Sequence, residues 1–80
     1  MKVLLFKISS CHTCQRQEEI FKQNNLNYIP CELFKNRELA RRYTVTDVPT
    51  TVIIDNDNNL IKKYNFLLTQ KQIENIKKFL

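Results

Sequence analysis

Two short runs in this 80-residue chain are apolar without a break: Val3-Leu4-Leu5-Phe6, set between Lys2 and Lys7, and Val52-Ile53-Ile54, inside the β-branched stretch Thr50 to Asp55. Both are too short to be helices and have the composition of strands, the first buried and the second central in its sheet. A chain with two such strands must cover them, and the segments between supply the cover. Ser9-Ser10 stops the first strand, which is expected from Lys2 to Ile8. Ser10 is placed to cap a helix from about Cys11 to Asn24, with Ile20 and Phe21 on its inner face and Asn24-Asn25 at its end. Leu26 to Leu33 reads as a second strand carrying Ile29, Cys31 and Leu33 on one side. Pro30 lacks the N–H that an interior ladder needs and puts this strand at an edge.

Asn36 is expected to cap a short helix through Glu38, Leu39 and Tyr43. The turn Asn56-Asp57-Asn58-Asn59 joins Thr50–Asp55 to a strand at Leu60 to Tyr64, which makes a hairpin. Thr69-Gln70-Lys71-Gln72 is a capping box for a last helix, with Ile73, Ile76, Phe79 and Leu80 following at helical spacing. The order β-α-β-α-β-β-α predicts an α/β fold. A right-handed parallel first βαβ unit and an antiparallel hairpin give a mixed four-stranded sheet with helices packed on it, in one domain over residues 1–80. The chain has no glycine, so left-handed turn positions fall to Asn and Asp.

Composition narrows the function. An apolar fraction of 42% supports a small core rather than disorder. The net charge of +5 favours acidic partner surfaces. Its basic residues (Arg37, Arg41 and Arg42; Lys62-Lys63; Lys71, Lys77 and Lys78) are scattered, with no aromatic-interleaved run of the kind a nucleic-acid face shows, so no nucleic-acid partner is expected. The apolar stretch in the opening MKVLLFK is too short for a signal-peptide core or a membrane span. The expectation is a soluble cytoplasmic protein without a membrane partner, in a compartment where thiols are kept reduced.

Against that background Cys11-His12-Thr13-Cys14 carries the chemistry. Only a thiolate attacks a disulfide, and the first turn of a helix offers unpaired N–H groups and partial positive charge that favour it. Cys11 is therefore the expected nucleophile. Cys14, about one turn on and more buried, resolves the mixed disulfide that Cys11 forms. His12, when protonated, would further stabilise the Cys11 thiolate, though an exposed histidine opening a helix is an equal reading. Thr13 is a neutral spacer. Lys7, just before the pair, is either a solvated strand-end lysine or a group that tunes the thiolate. Cys31 is expected to be a small buried hydrophobe. A metal site is the rival explanation. Structural zinc takes four ligands, typically in two separated pairs, and Cys11, Cys14, Cys31 and His12 exhaust the Cys and His of the chain, with no second pair. The redox reading is favoured, with no metal and no organic cofactor expected.

The chain resembles the thioredoxin-fold redoxins, the small thioredoxin- and glutaredoxin-like proteins, at two separate anchors: the Cys11-His12-Thr13-Cys14 motif between the first strand and helix, and residues 44–55, TVTDVPTTVIID, which are similar to that family's segment of apolar residue, proline, threonine and strand. The resemblance covers nearly the whole chain. It implies a cis Val48–Pro49 bond lying against the cysteine pair, with the Val48 backbone pairing to an extended substrate and Pro49 shaping the floor; His12 and Thr13 join them on the substrate-binding side. The family's buried acid has its counterpart at Leu5 here, which would leave proton transfer at Cys14 to water, Glu32 or the substrate. The resemblance lacks the first strand of thioredoxins, in keeping with Pro30 at an edge. The glutathione-binding Gly-Gly-x-Asp-like stretch of glutaredoxins is replaced by Asn65-Phe66-Leu67-Leu68-Thr69. The implied activity is that of a monomeric thiol–disulfide oxidoreductase that reduces protein disulfides and is recharged by a thioredoxin-reductase-type reductant. A glutathione-dependent glutaredoxin and a non-catalytic zinc or iron–sulfur module are the alternatives. Ile8, Val48 and Phe66 are expected to form an apolar docking surface around the pair.

Overall fold

The computed structural model describes residues 1–80. In chain order the elements are β1 (Lys2–Lys7), α1 (His12–Gln23), β2 (Ile29–Glu32), a 3-10 turn (Leu33–Lys35), α2 (Arg37–Arg42), β3 (Thr50–Ile54), β4 (Leu60–Tyr64) and α3 (Gln70–Lys77). They form one mixed sheet in the order β2-β1-β3-β4. β1 runs parallel to β2, and β3 is antiparallel to both β1 and β4. The two uninterrupted apolar runs are the two central strands.

Side chains of a strand alternate between faces, and β1 divides the core accordingly. Val3 and Leu5 join Phe21 of α1 and Ile73 and Ile76 of α3 on one face. Leu4 and Phe6 join Cys31, Ala40 of α2, Tyr43 and Val45 on the other. All five residues of β3 are buried, so the sheet is the middle of three layers. The apolar clusters on its two faces are the main stabilising term in a chain this small, which buries only about 60–65% of its unfolded surface.

Several sequence expectations are corrected. The second strand is shorter than Leu26 to Leu33. Leu26 drops into the core beneath α1 instead, Leu33 opens the 3-10 turn, and Ile29 is 45% exposed. Pro30 explains the truncation: β2 pairs only with β1, and an edge strand exposes its outer side. Asn36 precedes α2 but does not cap it, because its side-chain amide donates to the Glu32 carbonyl at 2.8 Å. The α3 capping box forms as expected, with the Thr69 N–H donating to Gln72 Oε1 at 2.9 Å. The helix ends at Lys77, however, which leaves Phe79 and Leu80 exposed rather than on its inner face.

Left-handed backbone occurs at Asn25, Thr44 and Asn58. Asparagine does the glycine-type work at two of the three positions. Thr44 is the costly exception, a β-branched residue at φ 52°. It follows Tyr43, the C-cap of α2, where Lys63 Nζ gathers the Tyr43 carbonyl at 3.3 Å and the Thr44 carbonyl and hydroxyl at 3.2 and 2.8 Å. A cation at the end of a helix satisfies carbonyls that have no intrahelical donor.

Candidate active site

β1 ends at Lys7, and four residues later Cys11 opens α1. The residue that caps this helix is Cys11 and not Ser10. Cys11 has extended backbone (φ −90°, ψ 107°), and its Sγ accepts the Cys14 N–H at 3.0 Å. Ser9 and Ser10 lie exposed outside the helix. The correction sharpens the chemistry: a sulfur at the cap position takes one of the orphan N–H bonds directly, and a thiolate takes it better than a thiol.

Cys11 and Cys14 are joined as a disulfide, with their Cα atoms 5.2 Å apart, inside the range that a disulfide spans. The two sulfurs are unequally placed. Cys11 is half-buried, whereas Cys14 is fully buried on the inner side of α1. An incoming disulfide can therefore reach the first sulfur and not the second. The first turn of α1 carries no acidic residue that would offset its positive end. His12 and Thr13 are the first two residues of the helix and both are exposed.

The β1–β3 ladder pairs Phe6 with Thr50, which sets Val48 and Pro49 at the same end of the central strands as the loop from Ile8 to Cys11. The Val48–Pro49 peptide bond is cis. Pro49 is buried and Val48 half-buried, its side chain packed against the α2-side core. Thr50 anchors the turn by donating its hydroxyl to the Asp47 carbonyl at 2.8 Å. Of the residues expected to form an apolar rim, Ile8 is half-buried and Phe66 is 45% exposed, with its ring edge-on to Tyr64 at 5.8 Å.

The sheet separates the third cysteine from the pair. Cys31 is buried among Leu4, Phe6 and Tyr43 on the α2 face, while α1 packs on the opposite face. Burial pushes its thiol up from the ordinary value. No three His, Cys, Asp or Glu side chains come together as a group that could hold a metal ion. Glu32, considered above as a proton carrier, accepts the Lys35 N–H at 3.0 Å in the cap of the 3-10 turn.

Three polar residues of this region, Glu18, Tyr28 and Gln17, escaped the sequence analysis. Lys7 is neither a free solvated lysine nor directed at solvent: its Nζ lies 2.5 Å from Glu18 Oε1. Tyr28 donates its hydroxyl to Glu18 Oε2, also at 2.5 Å. Gln17 is fully buried on α1. The signal for Gln17 was present, since it stands three residues after Cys14 and four before Phe21, on the helix stripe that faces the core.

No protein-family model and no curated protein matches the sequence. Solved structures do. Fasciola hepatica thioredoxin is 25% identical, with 95% of this chain and 77% of that one covered at a TM-score of 0.73. The Drosophila thioredoxin Deadhead is 23% identical over 98% of this chain and 79% of its own, with a TM-score of 0.82. Thioredoxin 1 of Thermosipho africanus is 23% identical over 99% and 93%, with a TM-score of 0.75. The chain has the thioredoxin fold. On that fold it carries a Cys-x-x-Cys disulfide at the head of its first helix.

Proposed function

We propose that the protein is a thiol–disulfide oxidoreductase that uses Cys11 and Cys14 to reduce disulfides in other proteins. One observation carries this reading: the two sulfurs form a disulfide at the N-terminal end of α1, with Cys11 reachable and Cys14 buried. The structural likeness to thioredoxins supports the same class of reaction.

In the reduced protein the Cys11 thiolate, favoured by the helix end and the Cys14 N–H, attacks one sulfur of a substrate disulfide. The substrate S–S bond breaks, a Cys11–substrate disulfide forms, and the first substrate thiolate leaves. Cys14 then attacks Cys11 Sγ, passing its proton to the departing second substrate thiolate. The Cys11–Cys14 bond forms, so two electrons have moved to the substrate. An external dithiol or thiol reductant restores the pair. Val48 holds the substrate segment in extended form through its backbone and Pro49 shapes the floor beneath it, with His12 and Thr13 flanking the approach. The protein works as a monomer in a reducing, cytoplasmic setting, and its charge of +5 speeds encounter with acidic targets.

Turnover of insulin disulfides with NADPH tests this, with thioredoxin reductase in one arm and glutathione plus glutathione reductase in the other. Turnover in the first arm is expected. Turnover only in the second would make the protein a glutathione-dependent glutaredoxin. Stoichiometric metal in anaerobically purified protein, with no turnover in either arm, would replace the enzyme by a binding module.

A further inference from the structure

Lys7, Glu18 and Tyr28 form a charged cluster that the exchange steps above leave unused. Both carboxylate oxygens of Glu18 are committed, one to Lys7 Nζ and the other to the Tyr28 hydroxyl. The Lys7 and Glu18 side chains are only 27% and 16% exposed. Three elements meet here: the end of β1, the middle of α1, and the segment leading into β2, whose Tyr28 ring packs on Phe21 at 5.2 Å. Lys7 alternates with Val3 and Leu5 onto the α1 side of the sheet.

Glu18 is four residues after Cys14 on α1. Side chains at that spacing share a face, with Cβ atoms about 5–6 Å apart. The one buried sulfur of the active site therefore has a fixed carboxylate one helical turn away. A unit charge about 6 Å off in a partly buried setting shifts an ionisation equilibrium by up to about a hundredfold. Burial raises the Glu18 carboxyl, but the hydrogen bonds from Lys7 and Tyr28, with the charges of Lys7 and Lys22, outweigh it and hold the group below its ordinary value. It remains charged at neutral pH. The other polar side chains nearby, His12 and the Arg16–Glu19 pair, are exposed on the outer side of α1, where solvent screens any charge.

We propose that Glu18 is a positioning residue for the Cys11–Cys14 couple: its fixed negative charge keeps the buried Cys14 thiol protonated in the dithiol, so that the first attack falls to Cys11, while Lys7 and Tyr28 hold that charge in place and Lys7 partly offsets it. The inference rests on the redox reading of the pair. Reduction of the disulfide adds two electrons and, in this protonation state, one proton, which resides on Cys14. That proton leaves with the second substrate thiolate when Cys14 closes the disulfide.

The equilibrium constant of the couple against glutathione, trapped by acid quench and alkylation, tests the proposal in Glu18→Gln, Lys7→Met, the double variant and Lys7→Arg. Thiolate ultraviolet absorbance against pH is read alongside. Glu18→Gln removes the negative charge and leaves the positive one, so it should stabilise the dithiol about tenfold, a shift of about 30 mV toward oxidising. Lys7→Met should leave the constant within twofold at neutral pH, because Cys14 is already protonated there, the double variant should fall between the singles, and Lys7→Arg should stay within twofold of wild type. A purely structural cluster would shift both single variants in the same direction. That result, or less than twofold change in both, overturns the proposal. The measurement needs no protein substrate, so it stands or falls separately from insulin turnover.

Discussion

Gln17 holds both backbone groups of Leu68, fifty-one residues away: its Nε2 donates to the Leu68 carbonyl at 3.1 Å, and its Oε1 accepts the Leu68 N–H at 2.6 Å. Both residues are fully buried. This reciprocal pair ties the active-site helix to the segment that leads into α3, the kind of link that fixes the helix bearing the cysteines relative to the C-terminal part of the chain. Gln17→Leu keeps the volume but strands a buried donor and a buried acceptor. At about 1–3 kcal/mol for each orphaned group, the loss should be about 2–6 kcal/mol in urea unfolding. Gln17→Glu should also destabilise, because a carboxylate cannot donate to the carbonyl.

The opposite outcome is expected at Thr51. It faces the α1 side opposite Leu5, is 1% exposed, and its hydroxyl is the one buried side-chain polar atom without a hydrogen-bond partner. Thr51→Val has the same shape without the unpaired hydroxyl. It should raise stability by about 1 kcal/mol, seen as a higher urea midpoint with an unchanged slope.

Acid stability follows from Glu18. Its folded pKa lies below the ordinary value of 4.5. A carboxyl with a depressed folded pKa contributes stability that is present above its unfolded value and is lost as pH falls through the folded value. The stability advantage of wild type over Glu18→Gln should therefore be constant near neutrality and shrink below about pH 4.5. Asp55 adds to the same acid loss, since the Asn59 backbone N–H holds its carboxyl down. Unfolding curves at stepped pH check both.

Cys31 should be separable from the chemistry. Cys31→Ala removes a buried sulfur from the α2-side cluster, at a cost of about 1 kcal/mol. Insulin turnover, corrected for folded fraction, should be unchanged. In the native protein Cys31 should resist alkylation under conditions that modify the reduced pair.

The sequence carried the order of elements and the cysteine motif because each rests on a strong local signal. Uninterrupted apolar runs mark central strands, Pro30 marks an edge, and Thr69-to-Gln72 spells its own cap. What stayed hidden depends on contacts between distant residues. Lys7 and Glu18 look like ordinary surface charges until β1 and α1 pack together. Ser10 looked the better cap because its hydroxyl is the usual capping group, whereas the backbone turns one residue later and gives that role to Cys11. Phe79 and Leu80 continue a helical spacing, yet α3 has already ended. Periodicity shows which residues could share a face, not where the helix stops.

The most direct test is the order of attack. Reduced Cys14→Ser protein, mixed with an excess of a disulfide-bonded protein and quenched in acid, should accumulate a mixed disulfide that peptide mapping assigns to Cys11, while Cys11→Ser yields none. A stable adduct through Cys14 in Cys11→Ser, or through Cys31 in Cys14→Ser, would contradict the roles drawn from the half-buried cap sulfur and its fully buried partner.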